Sequence, residues 1–165
     1  MDPNAFRTLS RYNIWMNDRL YAVAADIPDA ERKRDLGAFF GSLHRTLNHI
    51  MVGDRIWLSR FRGEASATVS LNATLYEDFE ALRAARKELD GKISDYIDTL
   101  RPAKLAAPLN YVSGVYGPQS KPLWLLVLHM FNHQTHHRGQ ATTLIKQLGF
   151  DPGVTDLPAM PGASG

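Results

Sequence analysis

The sequence predicts an all-α fold, a four-helix bundle with a small β-hairpin or ordered loop ahead of the last helix. Three observations point there. Apolar residues recur at helical spacing in four long stretches, Gly and Pro gather where those stretches stop, and one region, residues 101–121, breaks the helical pattern with a short β-type run.

Phe6, Leu9, Ile14, Leu20, Tyr21 and Val23 predict a first helix over about residues 4–25, ended by Ile27-Pro28-Asp29. Asp29 is positioned to cap a short helical piece reaching about Gly37. A second long helix is expected over about 38–62, with Phe39, Phe40, Leu43, Leu47, Ile50, Trp57, Leu58 and Phe61 on one stripe and Gly63 as its stop. Ala65 to Thr74 reads as loop. The third helix, about 75–100, sets Phe79, Leu82, Leu89, Ile93, Tyr96, Ile97 and Leu100 against a charged side, and its Gly91 costs about 1 kcal/mol relative to Ala. Leu109 to Tyr116 is the β-type run. The fourth helix follows from about Pro122 to Leu148, stopped by Gly149 and Pro152, and a tail from about 150 to 165 docks at its start through Leu157 and Met160 and frays at its end. No repeat, low-complexity tract or charge block marks a linker, so residues 1–165 read as one domain.

Composition removes several function classes. There is no cysteine, which excludes disulfides, cysteine-based zinc ribbons, iron–sulfur clusters and a cysteine nucleophile. Any thiol must come from outside. The 19 basic and 17 acidic residues are interspersed and give no electrostatic footprint for nucleic acid. No secretory signal or membrane-length apolar run is visible, so a cytoplasmic location with no membrane partner is the expectation.

The chemistry concentrates in the fourth helix. His129, His133, His136 and His137 lie within nine positions of an otherwise apolar helix. Residues four apart on a helix differ by about 40° in direction, so His133 and His137 share a face, as the first two ligands of a divalent metal must. His137 falls inside the apolar stripe of Leu123, Leu126, Val127, Met130, Ala141, Leu144, Ile145 and Leu148, and His133 lies at its edge. His136 reads as a surface residue or one standing just behind the ligands, and the spacing leaves His129 open. A lone histidine on an apolar face is most often a hydrogen-bonded core residue, but two adjacent basic rings need two partners or one shared ion.

A third ligand must come from elsewhere. On the second helix, His49 lies beyond the edge of the main stripe near Gly53 and Ile56, which permits an inward direction without requiring it. Asp54 lies within the stripe, where a buried carboxylate needs a cation, a metal, or an imidazole to orient; His44 reads as solvent-facing. No glutamate stands three residues before a histidine, which argues against a carboxylate-bridged di-iron centre, and position 134 is glutamine where a zincin needs its catalytic glutamate.

Three segments carry a wider resemblance: Asn132-His133-Gln134-Thr135-His136-His137-Arg138-Gly139-Gln140, then Thr46 to Leu58 with Asn48-His49 and Asp54-Arg55-Ile56-Trp57, and Tyr12-Asn13-Ile14-Trp15-Met16-Asn17. Together they resemble the DinB-like proteins of the wider DinB/YfiT-like superfamily, over nearly the whole chain. The resemblance implies a four-helix bundle, commonly a homodimer, with a divalent metal, often zinc or nickel, held by His49, His133 and His137 and completed by water. It also implies thiol-dependent transferase or isomerase chemistry on a small-molecule substrate. On that basis the leading expectation is a transferase joining a low-molecular-weight thiol to a small electrophile. The alternatives are a hydrolase using hydroxide held by the metal, and a non-catalytic, stress-associated metal-binding dimer. Supporting roles fall to Asp54 as orienter of a ligand, Arg138 as its salt-bridge partner and Gln140 as a hydrogen-bonding residue near the ligands, with a solvated helix face as the plainer reading of the last two. Tyr12, Trp15, Trp57 and Tyr111 are candidates to line a pocket, although Trp15 and Trp57 sit on apolar stripes. Asn13 and Asn17 are expected to bond across a dimer or toward the cavity.

Overall fold

A computed structural model describes residues 2–64 and 70–163. Helix α1 runs Pro3–Ala25, α2 Asp29–Lys33, α3 Leu43–Arg62, α4 Phe79–Asp98, α5 Pro102–Ala106 and α6 Leu123–Gln147; strands β1 (Pro108–Ser113) and β2 (Gly117–Pro122) and a short 3-10 turn at Leu157–Ala159 complete the described elements. The four long helices form a closed ring of neighbours, α1 against α4 and α6, and α3 against α6 and α4. The expected bundle is therefore present. Its centre is filled by Phe6, Leu20, Leu47, Met51, Leu82, Ile93, Ile97, Val127 and Ile145. Each such side chain contributes about 1.5–3 kcal/mol on burial, so the scaffold has its own source of stability.

Local chemistry sets the ends. Asp2 caps α1 by accepting from Asn4 N at 2.9 Å, Ser42 caps α3 through Arg45 N at 3.2 Å, and Asp78 caps α4 through Ala81 N at 2.7 Å. Gly63 ends α3 in the left-handed region at φ 66°. The β-type run is an antiparallel hairpin, in which Pro108 pairs with Pro122 and Tyr111 with Gln119, and it feeds directly into α6.

Some boundaries differ from expectation for identifiable reasons. Helix α3 begins at Leu43 and not near 38, because Gly41 takes φ 78° and Ser42 supplies the cap; Phe39 and Phe40 therefore belong to a turn, and Phe39 is 82% exposed. Asp29 is the first residue of α2 and does not cap it; Pro28 holds the cap position while the Asp29 carboxylate pairs with Lys33 at 2.7 Å. Helix α4 begins at Phe79, since Asp78 caps it, and residues 70–78 run along α3 without regular structure. Of the loop expected at 65–74, residues 65–69 lie outside the described residues. Among the described residues no helix is long and apolar enough to cross a membrane.

Candidate metal centre

Helix α3 presents His49 and helix α6 presents His133 and His137 toward one point, where one ligand nitrogen from each lies within 4.8 Å of the others. The Nε2 of His49 is 3.2 Å from the Nε2 of His133 and 3.2 Å from the Nε2 of His137. All three rings are buried or half-buried.

The outer nitrogens decide what the inner ones can do. His49 Nδ1 lies 2.8 Å from the Leu71 carbonyl oxygen, which only accepts, so Nδ1 carries the proton and donates it. His137 Nδ1 donates to Gln140 Oε1 at 2.8 Å. Both Nε2 atoms are left with bare lone pairs aimed at each other. Two such atoms cannot hydrogen-bond. A shared cation removes the conflict, and burial, the main cause, lowers the pKa of both rings, so an added proton is disfavoured. His133 is lowered furthest, to about 3, by burial first and then by the neighbouring imidazoles, and its Nδ1 is buried with no partner. Nitrogens bonded at about 2.0–2.1 Å to one ion stand about 3.3 Å apart in tetrahedral geometry and about 2.9 Å apart at octahedral right angles. The two separations from His49 fall between these, and with all three nitrogens within 4.8 Å of one another the group is compatible with a divalent ion without choosing its geometry.

Two further features shape the centre. A Cβ added to Gly53, one turn beyond His49 on α3, would meet His133 Cε1 at 2.7 Å, so only glycine lets the α6 imidazole approach α3 this closely. Phe40 stacks on His49 with centroids 3.9 Å apart and meets His137 edge-on at 5.4 Å.

Beside the histidines a second buried polar cluster joins all four long helices. Arg86 of α4 donates to Asp54 of α3 at 2.5 Å and to Asp90 at 2.7 Å. Gln134 of α6 donates to the other Asp54 oxygen at 2.8 Å, and Asn13 and Asn17 of α1 donate to Asp90 at 2.8 and 3.0 Å. Arg138 donates to Asn13 Oδ1. Burial opposes charge on Arg86, but the two carboxylates outweigh it and hold the guanidinium above its ordinary pKa. With Arg138 included, two cations face two anions.

This cluster corrects several expectations. Among the described residues Asp54 makes no hydrogen bond to any of the three imidazoles; both of its oxygens are taken, one by Arg86 of α4 and the other by Gln134. Arg138 is buried and bonds Asn13, so it is neither the ion-pair partner of Asp54 nor part of a solvated face. Of the two directions left open for Asn13 and Asn17, the inward one is seen: both are buried and donate to Asp90. His44 is buried, with Nε2 2.7 Å from the Tyr76 carbonyl, because residues 70–78 cover that side of α3. Gln140 does stand behind His137. His129 and His136 lie outside the group of three: His136 is exposed, and exposed His129 packs edge-on against Trp57 at 5.1 Å. Trp57 and Tyr111 pack together at 5.4 Å on the flank of the core, and Tyr12 donates to the Thr155 carbonyl, tying the tail to α1.

Sequence reasoning missed Gly53, Gln134, Arg86 and Asp90. A signal existed for the last two. Leu82, Arg86, Leu89, Asp90 and Ile93 share the inward stripe of α4 by spacing alone, and a cation and an anion four apart on an apolar face mark a paired interior.

The DinB family model matches residues 1–163. The chain belongs to the DinB family. Protein DinB of Bacillus subtilis (strain 168) is 29% identical over 160 residues, covering 94% of this chain and 92% of that protein. Among solved structures, a DinB-like protein from Bacillus cereus ATCC 10987 superposes with a TM-score of 0.66 at 18% identity, covering 84% of this chain and 90% of that one. At that identity the likeness speaks for the fold alone.

Proposed function

We propose that this DinB-family protein is a divalent-metal enzyme in which His49, His133 and His137 hold zinc or nickel through Nε2, and that it joins a low-molecular-weight thiol to a small electrophile. The observation that carries the reading is the pair of bare imidazole lone pairs 3.2 Å apart, His49 against His137, each fixed by a hydrogen bond to its own Nδ1. A divalent ion held by these neutral ligands would supply a Lewis acid, lowering the pKa of a thiol or water that reaches it.

The chain's own residues do the rest. The Leu71 carbonyl and Gln140 fix both tautomers before any ion arrives, so binding requires no ring reorientation. Phe40 excludes water from one face of His49. Asp54, the carboxylate best placed by sequence to activate water, is engaged by Arg86 and Gln134, which favours a thiol over a hydrolytic water as the reacting group. The absence of cysteine requires that the thiol be a co-substrate.

The test is zinc-loaded protein offered an electrophilic dye with glutathione, bacillithiol or mycothiol. Thiol-dependent consumption that disappears in His137→Ala is expected. Cleavage of an ester or amide with no thiol requirement would replace the transferase reading with a hydrolase. The family resemblance also leads us to propose a homodimer, which a monomeric mass by light scattering at micromolar concentration would remove.

A further inference from the structure

A cavity of about 520 Å³ lies between the turn that precedes α3 and the His49 face of that helix, lined by Asp35, Phe39, Phe40, Arg45, His49 and Asn72. Its volume is in the range of small-molecule sites. The turn is firmly built: Gly41 N donates to the Ala38 carbonyl at 2.8 Å, Leu36 N to the Gly41 carbonyl at 2.8 Å, and Gly37 N to Asp35 Oδ1 at 2.8 Å. Gly37 and Gly41, at φ 71° and 78°, supply the left-handed residues that let the chain turn so tightly. This frame holds Phe39 out at 82% exposure, where an aromatic ring gains nothing from the protein's own core.

The aromatic surface is continuous from there to the histidines. Phe39 meets Phe40 edge-on at 4.8 Å, and Phe40 stacks on His49 at 3.9 Å. Arg45 stands one turn before His49 on α3, so both side chains serve the same wall. Its guanidinium is exposed and makes no ion pair or hydrogen bond among the described residues, whereas the Asp35 carboxylate is turned back onto the Gly37 backbone. An aromatic wall and a cation with no partner among the described residues, beside a candidate metal centre, select a particular chemistry.

We propose that this cavity binds a small molecule carrying an aromatic ring and a single carboxylate, the ring lying on Phe39 and Phe40 and the carboxylate meeting Arg45. As a substrate site it rests on the metal-enzyme reading above, while the binding itself depends only on residues of the turn and α3. Asp35 in the same wall disfavours a second anionic group.

The experiment is titration of 3-phenylpropanoate by ligand-detected NMR, on metal-free and zinc-loaded protein, with hexanoate and 3-phenylpropanol as the probes lacking ring and charge. Phenylpropanoate is expected to bind at least tenfold more tightly than either. Arg45→Gln should weaken phenylpropanoate about tenfold and leave phenylpropanol unchanged, and Phe39→Ala should weaken both. Both altered side chains are exposed, so the fold is retained, and zinc stoichiometry is measured on the same samples. Equal affinity for the three probes, or affinity indifferent to both variants, overturns the proposal. Zinc bound at parental stoichiometry without probe binding rejects the cavity alone; probe binding without zinc rejects the metal reading alone.

Discussion

Two buried polar regions lie side by side in this bundle, and they are solved in opposite ways. The Asp54–Arg86–Asp90 cluster brings its own counter-charges: cation meets anions at 2.5 and 2.7 Å, and amides from α1 and α6 take up remaining oxygens. The histidine cluster brings three bases and no acid. Its outer nitrogens are partly satisfied and its inner ones are turned on each other. One region balances its charges within the chain, leaving Arg86 Nε and Gln134 Oε1 without a partner among the described residues, and the other offers three bases that a cation from solution would complete. The difference separates structure from function more sharply than burial does, since His49 and His137 are buried as well as Asp54, Arg86 and Asp90.

The largest effect on stability is expected at Arg86. Arg86→Met leaves two buried carboxylates without their cation, and removing one partner of a buried pair costs about 3–5 kcal/mol, far more than the pair's net worth against an apolar pair. Urea denaturation of the metal-free protein should show a loss of that size; a change under about 1 kcal/mol would mean the cluster is not the structural region it looks like.

At His133 the expected outcome reverses. His133→Ala should leave the metal-free protein's helical circular dichroism and urea midpoint nearly unchanged, while abolishing the stabilisation of about 4 kcal/mol that an ion supplies at a thousand times its dissociation constant. The same variant sharpens the pH response. In metal-free protein His133 is held near 3 against 6.5 in an unfolded chain, so between those values the unfolded state binds the extra proton. Its contribution to stability is therefore intact above 6.5 and lost as pH falls toward 3. The metal-free His133→Ala protein should show a shallower decline over that window; an identical slope would place the titration elsewhere.

Gly53→Ala tests how closely the two helices must approach. Alanine is the better helix former by up to about 1 kcal/mol, but its methyl group meets the His133 ring, so metal affinity should fall at least tenfold with little change in metal-free stability. Unaltered affinity by calorimetry would show that the ring has room to retreat. The smallest effect lies far from both regions, at exposed Gly91 within α4, where an added Cβ meets nothing within 4 Å. Gly91→Ala should stabilise the protein by about 0.5–1 kcal/mol and leave zinc binding untouched.

These contrasts also explain what the sequence revealed and what it withheld. Helical periodicity placed α1, α4 and α6 to within a few residues, because spacing of apolar side chains is a local property. It misplaced the start of α3, where Phe39 and Phe40 have the right spacing for a helix that Gly41 and Ser42 forbid. His133 and His137 were legible as a pair because both sit on one helix. His49 was not compelled by its wheel, since its direction depends on how α3 packs against α6, and only the family resemblance nominated it. Partner choice was the least legible: Asp54 could be recognised as needing a cation, yet Arg86 and Arg138 were equally available in the sequence, and only the packing of α4 against α3 selects Arg86. His44 was misjudged for the same reason, because residues 70–78 fold back over a face that the helix alone would leave in water.

The reading of the histidine cluster requires that its three inner nitrogens share one ion. Elemental analysis of the protein purified without nickel chromatography and equilibrated with zinc, compared with His49→Ala treated identically, tests it most directly. One zinc per chain is expected in the parent and a stoichiometry near zero in the variant, with both equally helical. Equal zinc in the two proteins, or none in the parent, would contradict it.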